Sequence, residues 1–268
     1  MTDKYAVIGN PIAHSKSPII HKAFAQQTGE DISYEAILAP LDGFEVTVQA
    51  LIGQGYKGVN VTVPFKFEAF EICDSKSARA ISMGSGAVNT LININGKIHG
   101  DNTDGVGLRN DIEKNIGFSI TNQHILVLGA GGAAYGIMSS LIGASSVTIA
   151  NRTYDKALQL VMAARKNYEA KASRFESLEK PYDLIINATS IGLTDKELLI
   201  PDIIFSQHCL AYDMMYGRET LFMAQARSNG AQVSDGSGML VEQAAEAFHL
   251  WRGVRPETKP VIEMIRAL

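Results

Sequence analysis

"HILVLGAGGAA" (residues 124–134) is the stretch whose reading decides the fold. Its first half is a continuous apolar run, as a strand buried on both faces requires. Its second half, Gly129-Ala130-Gly131-Gly132-Ala133-Ala134, matches G-x-G-x-x-A at the junction of that strand with a following helix. Gly129 permits a tight turn, Gly131 lets the backbone approach a pyrophosphate, and Ala134 is small enough for close helix–strand packing. The start of the helix offers free amides to phosphate oxygens. A glycine cluster alone is a weak signal. Its strand–turn–helix setting makes it a dinucleotide-binding fingerprint.

The pattern continues on both sides. "SVTIAN", "DLIINATS" and "CLAYDMM" read as further buried strands, and "TYDKALQLVMAARKN" as a long helix. Upstream, "KYAVIG" (4–9), "SYEAIL" (33–38) and "GVNVTV" read as strands. They alternate with helices over 17–29 and 42–53. For 17–29, Ser17 is expected as N-cap, Pro18 at the first position and Gly29 as the stop. Such a βαβαβ rhythm predicts an open, mostly parallel sheet. "DNTDGVGLRNDIEKNIG" predicts a connecting helix, and "GMLVEQAAEAFHLWRG" and "PVIEMIRAL" helices in the tail. The chain is expected to be α/β in two domains, and its 268 residues suffice for two modest ones.

Composition narrows the function. With 46% hydrophobic and 19% charged residues, the chain has the make-up of a folded globular protein. A net charge of −4 with no Lys/Arg run argues against a nucleic-acid partner. Two cysteines far apart and histidines without HExxH spacing argue against a metal. "MTDKYAVIGNP" shows no signal-peptide core, and no apolar stretch reaches the length of a membrane span. A cytoplasmic protein is therefore expected, and the N-x-T triplets at Asn60, Asn151 and Asn187 are not read as glycosylation sites.

The strand after the fingerprint ends "IANRTYDK". An NAD-binding site places Asp or Glu about there, for the ribose 2′-hydroxyl. Here Asn151 is neutral, Arg152 can fork onto a 2′-phosphate, Thr153 can hydrogen-bond it, and Lys156 follows one turn on. NADP(H) is the expected cofactor; a helix cap with surface charges is the alternative.

Polar residues gather at the strand ends of the first half, where open α/β sheets bind ligands. Ser15 and Ser17 lie two apart in "GNPIAHSKSP". "NVT" supplies Asn60 and Thr62, "GAVNT" supplies Asn89, and "GDNTDG" supplies Asp104. The set suits a polyol or hydroxy-acid. In "VNVTVPFKFEAF" (59–70), Pro64 is expected at the first position of a helix, which puts Lys66 in its first turn. The helix dipole disfavours a cation there. A lysine so placed in a partly dry cleft is suited to trading its proton, with Asp104 as the carboxylate that orients it. The bland reading of each is a surface lysine and an acid at a helix start.

Together, "GNPIAHSKSP", "GVNVTVPFK", "GAVNT", "GDNTDG", "GAGGA", "NRTYDKA", "INATSIG", "YDMMYG" and "GSGMLVEQAA" resemble the shikimate dehydrogenase family, in its order and over almost the whole chain. The resemblance implies reversible NADPH-dependent reduction of 3-dehydroshikimate to shikimate, in aromatic amino-acid precursor synthesis. It implies that Ser15 and Ser17 bind the carboxylate. Thr62, Asn89, Asp104 and Gln243 hold the ring hydroxyls, with Tyr216 lining the pocket, and Lys66 and Asp104 form the catalytic pair. Gly129 to Ala133 then bind the pyrophosphate, and Asn151 to Lys156 the adenosine phosphate. Thr189, Met214 and Gly236 lie near the nicotinamide half. The implied division is a substrate domain over 1–103, a Rossmann-type NADP-binding domain over 104–236, and C-terminal helices over 237–268 returning to the first domain. A monomer or homodimer is expected.

One departure stands out. "ARAISMGSGAVNT" carries a short insertion before Gly86, and Ala78 falls where an acidic residue is often found, so contacts from that segment are in question. Three rival readings remain. One is a quinate/shikimate dehydrogenase of broader substrate or cofactor use. Another is a non-catalytic dinucleotide sensor, which would not need both Lys66 and Asp104. The third is a folate-linked dehydrogenase, which leaves Ser15, Ser17 and DNTDG unexplained together.

Overall fold

The computed structural model describes residues 2–81, 86–165, 168–191 and 198–268. Two six-stranded sheets organise it. In the first, β1 (Asp3–Gly9), α1 (Ser17–Thr28), β2 (Ile32–Leu38), α2 (Phe44–Gly53) and β3 (Tyr56–Val61) alternate. The central strand β1 pairs in parallel with β2 and β3. Then come α3 (Lys66–Glu71), β4 (Ser75–Lys76), α4 (Ala78–Ile81), β5 (Thr90–Ile94) and β6 (Lys97–Asp101). The order is β2-β1-β3-β5-β6-β4, and β5 runs antiparallel to both β3 and β6. β4 pairs in parallel with β6, so β5 alone runs against its neighbours and the sheet is mostly parallel, as the sequence implies. The cause of the reversal is local: Asn95 and Gly96 take positive φ (54° and 84°), as a two-residue hairpin turn requires.

The chain crosses to the second sheet along α5 (Asp104–Asn110), which a π-helical turn extends over Asp111–Ile116. There follow β7 (His124–Leu128), α6 (Gly132–Ile137), β8 (Ser146–Ala150), α7 (Tyr154–Ala164), β9 (Glu169–Ser173), β10 (Leu184–Asn187), β11 (Leu210–Asp213), α8 (Leu221–Ser228) and β12 (Gln232–Ser234). Every pairing in the order β12-β11-β10-β7-β8-β9 is parallel. The strand order reverses between β7 and β10, which opens a crevice at their carboxyl ends. The sequence does not announce β9 ("EAKAS") or β12 ("QVS"), because these edge strands are half-exposed and lack an apolar run.

Two local expectations are corrected. Ser17 is the first residue of α1, not its cap; Lys16 holds the cap position and no side chain caps the helix. Pro64 lies in a turn closed by the Phe65 amide on the Thr62 carbonyl, and α3 begins only at Lys66. Lys66 is therefore still in the first turn, and its neighbour Phe65 is buried.

The tail, α9 (Ser237–Arg252) and α10 (Lys259–Arg266), packs back onto the first sheet. Ile20 and Phe24 of α1 share a core with Val241, Ala245 and Phe248 of α9 and Ile262 and Ile265 of α10. At the end of α9, Trp251 stacks on Tyr5 of β1 at 4.7 Å between centroids and donates its indole N–H to the Leu91 carbonyl at 3.1 Å. The indole occupies the space a side chain at position 58 would take: a Cβ on Gly58 would stand 2.2 Å from Trp251 Nε1. Gly58→Ala is expected to expel the indole and cost about 1–3 kcal/mol, the range for overpacking. Trp251 is the chain's only tryptophan, so a red shift of its fluorescence reports the expulsion. An unshifted spectrum at unchanged Tm would show that the helix gives way instead.

Candidate active site

The carboxyl ends of β3 and β6, and the amino end of the antiparallel β5 between them, deliver the polar groups of the first half. Asn60 is on β3, Asn89 immediately precedes β5, and Asp104 follows β6 by one short loop. The Asn89 amide is the hub. Its Nδ2 donates to Asp104 Oδ1 at 2.8 Å and Thr103 Oγ1 at 3.0 Å, while its Oδ1 accepts from the Thr103 amide at 2.8 Å. The Asp104 amide donates to Asn102 Oδ1 at 3.0 Å. Lys66 donates to Asp104 Oδ2, and both side chains are largely shielded from water, at 12% and 7% exposure. The lysine and carboxylate that the sequence pairs across 38 residues are thus an ion pair in the fold.

Gln243, on α9, points its Oε1 at the Thr103 hydroxyl (3.4 Å) and its own Nε2 at the Leu240 carbonyl (2.8 Å). It reaches this place because α5 carries Gly107 against α9; a Cβ there would stand 2.7 Å from Gln243 Cβ. Thr62 sits at the end of β3, its amide bonded to the Ile8 carbonyl at 2.9 Å. Ser15 Oγ accepts the Ser17 amide at 3.3 Å. The Ser17 side chain is buried and caps nothing, so its hydroxyl has no helix-end duty. Tyr216 comes from the loop after β11. Burial raises the pKa of its phenol, and a bond to the Lys16 backbone offsets part of that rise. Tyr216 thus bridges from the second sheet to the serine loop.

The second half-site lies at the ends of β7, β8, β10 and β11. Gly129 takes φ +104°, a conformation that favours glycine, and a Cβ there would stand 3.1 Å from the Ala188 carbonyl oxygen. A Cβ on Gly131 would meet nothing within 4 Å, so the turn leaves room against its backbone for a phosphate. Ala130 is buried beneath it, and Gly132 and Ala133 open α6. Asn151 donates to the Thr153 carbonyl at 2.9 Å, and Arg152, Thr153 and Lys156 are exposed at the tip of β8. The geometry fits a dinucleotide whose adenosine end meets Arg152 and Lys156, with neutral Asn151 at the strand end.

Thr189, Met214 and Gly236 converge beside this turn. Asn187 Oδ1 accepts both the amide and the hydroxyl of Thr189, at 3.1 and 2.7 Å. Asn187 Nδ2 donates in turn to buried Asp213 at 3.2 Å, which also accepts from the Thr220 hydroxyl at 2.6 Å and the Met215 amide at 3.0 Å. Burial raises the Asp213 pKa, and these three donors hold it down in part. The Met214 amide bonds the Asn187 carbonyl at 3.0 Å, and a Cβ on Gly236 would lie 2.5 Å from the Met214 carbonyl oxygen. The sequence does not mark Asn187 and Asp213 as a pair. Their link depends on the register that sets Asn187 opposite Asp213.

The two half-sites touch. A Cβ on Gly132 would stand 3.5 Å from Lys66 Cβ, and the Phe67 and Tyr135 rings meet edge to face at 5.4 Å. The questioned segment also contributes: Arg79 of α4 forks onto Asp101 (3.1 and 2.7 Å) and reaches Glu246 of α9 at 2.6 Å. Burial raises the Glu246 pKa, but Arg79 and Arg255 outweigh it and hold the carboxyl below its ordinary range. Arg79 thus fixes the strand end from which the Asn102–Asp104 loop departs. Most of the apparent insertion before Gly86 falls on residues 82–85, outside the described residues.

An ion-paired lysine placed against a dinucleotide-type turn, in a cleft between two α/β units, defines a dinucleotide-dependent oxidoreductase. The sequence matches three family descriptions in succession. These are the shikimate dehydrogenase substrate binding domain over 7–91, shikimate/quinate 5-dehydrogenase over 111–194, and the shikimate 5'-dehydrogenase C-terminal domain over 236–266. The chain belongs to the shikimate dehydrogenase family. It is 53% identical to the shikimate dehydrogenase (NADP(+)) of Methylobacillus flagellatus, over 99% of both chains. Among solved structures, it is similar to an Ael1 enzyme from Pseudomonas putida (44% identity, TM-score 0.90, 98% of both chains). It is also similar to shikimate 5-dehydrogenase from Thermus thermophilus in complex with NADP(H) and shikimate (32% identity, TM-score 0.89, 99% of both chains).

Proposed function

We propose that the chain catalyses the reversible NADPH-dependent reduction of 3-dehydroshikimate to shikimate. The observation that carries this is the Lys66–Asp104 pair, held by Asn89 and placed against the turn that opens α6. Residues 1–103 carry the substrate, 104–236 the cofactor, and 237–268 return to complete the first unit. NADPH, when bound, supplies the hydride. Gly129 to Ala133 hold its pyrophosphate, and Asn151, Arg152, Thr153 and Lys156 its adenosine phosphate. Thr189, Met214 and Gly236 flank its nicotinamide half. Lys66 Nζ gives a proton to the substrate oxygen during reduction and takes it back during oxidation, while Asp104 orients Lys66 and accepts from a ring hydroxyl. Thr62, Asn89 and Gln243 fix the ring, and Tyr216 closes the pocket over it. The reaction sits in aromatic amino-acid precursor synthesis, in the cytoplasm, with the enzyme a monomer or homodimer. No helix among the described residues is long and apolar enough to cross a membrane.

The test is the rate of NADP⁺ reduction with shikimate, with NAD⁺ and with quinate run beside it. Shikimate with NADP⁺ is expected to be the most efficient pair. Equal efficiency with quinate would favour the broader enzyme, and cofactor binding without turnover would favour the sensor.

Ser15 and Ser17 hold the substrate carboxylate. Replacing either with alanine is expected to raise KM for shikimate roughly tenfold, as loss of a hydrogen bond to a charged group implies, with a smaller fall in kcat. A drop in Tm at unchanged KM would rule out the binding role.

A further inference from the structure

We propose that Gly136 is a positioning residue for the acid–base pair. By carrying no side chain, it lets the backbone of α6 lie directly on the Asp104 carboxylate. This inference rests on the assignment of Lys66 and Asp104 as the proton-transfer pair.

A Cβ on Gly136 would stand 2.7 Å from Asp104 Oδ2, 3.3 Å from Asp104 Cβ and 3.1 Å from Asn102 Nδ2. Real Cβ atoms are essentially never found as close as the first of these distances. The carboxylate has little freedom to retreat. Asn89 holds Oδ1, Lys66 holds Oδ2, and Asn102 holds the Asp104 backbone amide. Asn102 is itself tied to the Ala87 carbonyl at 2.9 Å. From the other side, a Cβ on Gly105 would meet the Gly136 carbonyl oxygen at 3.1 Å and Ser139 Oγ at 3.0 Å. The two helices therefore meet backbone to backbone, with Gly105 and Gly136 facing each other.

Helix geometry does not ask for this glycine. Gly136 lies inside α6 and is not among the glycines with positive φ. Alanine there would favour the helix over glycine. The position contradicts local propensity, and the Asp104 contact accounts for it. Gly132, one turn earlier, is different: its Cβ would make ordinary contacts of 3.5 Å or more. The helix that starts at the glycine-rich turn thus rests on the oxygen that holds Lys66. That contact sets the distance between the group carried by the turn and the group that moves the proton.

The experiment is a double-mutant cycle of Gly136→Ala and Asp104→Ala, read by Tm, together with kinetics of Gly136→Ala. Gly136→Ala alone is expected to lower Tm, to cut kcat with shikimate tenfold or more and to shift one limb of the pH–rate profile. Its NADP⁺ Kd, read by calorimetry, is expected to stay within about twofold. In the Asp104→Ala background the added methyl is expected to lower Tm little or not at all. Equal Tm losses in both backgrounds would show that the methyl meets something other than Asp104 and would overturn the proposal. So would an unchanged kcat and pH profile at lowered Tm, which would leave Gly136 a packing residue only. If Gly136→Ala alone does not fold while the double variant does, the contact is shown directly. If neither folds, the methyl is intolerable without Asp104 and the proposal is wrong. Absence of turnover in the unmodified enzyme would instead sink the functional reading, and the Tm cycle would still report the contact.

Discussion

Lys66→Ala is expected to lower kcat by roughly 10²–10⁴-fold, the usual range for a lost acid–base group. Lys66 Nζ is bonded to Asp104 Oδ2, and the pair stands beside the turn that opens α6. Oxidation of a ring hydroxyl must release a proton, and reduction must supply one. A shielded lysine whose carboxylate partner is fixed by a second donor can do both without reorganising its surroundings. Lys66→Arg is not expected to rescue the rate, because a guanidinium does not give up its proton near neutral pH. Binding of NADP⁺ is expected to change little, since the phosphate contacts proposed above lie on the second sheet. Turnover close to that of the unmodified enzyme in Lys66→Ala, or a change confined to KM, would assign proton transfer to another group.

Arg152→Ala is expected to raise KM for NADP⁺ by roughly 10- to 150-fold, the equivalent of about 1.5–3 kcal/mol for a charge-assisted contact. KM for NAD⁺ is expected to stay nearly constant. Arg152 is exposed at the tip of β8, where the Asn151 side chain ties down the Thr153 carbonyl and keeps the tip in shape. The strand ends in neutral Asn151 where an acid would compete for a ribose hydroxyl, and Asp155 lies further on, in the first turn of α7. An equal loss for the two cofactors would mean that Arg152 supports the loop and does not read the 2′-phosphate.

Much of the architecture follows from local signals. The buried run Ile125–Leu128 and the glycines after it announce the second sheet, since an apolar strand ending in a turn with room for phosphate has few other uses. Lys66 is legible because it breaks a rule: a cation at the start of a helix is out of place unless its proton is used. The β5–β6 hairpin was also open to reading, since Asn95-Gly96 is a strong turn signal. The alternation of strands and helices before it gives no hint of that one reversed strand. Other features could not be read from the chain. Asn187 and Asp213 become a unit only through strand register. Arg79, Asp101 and Glu246 meet only once α9 has folded back. Ser17 looks like a helix cap because a serine before a proline usually is one; the chain's path at Lys16 shifts the boundary by one residue.

The return of α9 and α10 to α1 has a consequence for biosynthesis. Ile20 and Phe24 find their partners Val241, Phe248 and Ile262 roughly two hundred residues later in the chain. At about 5–20 residues per second, translation leaves that apolar face of α1 waiting on the order of 10–40 s. The second sheet can close meanwhile, because all its strands emerge within one continuous stretch. The unit made first is therefore finished last, and a nascent chain stalled before α9 carries an uncovered apolar surface on α1.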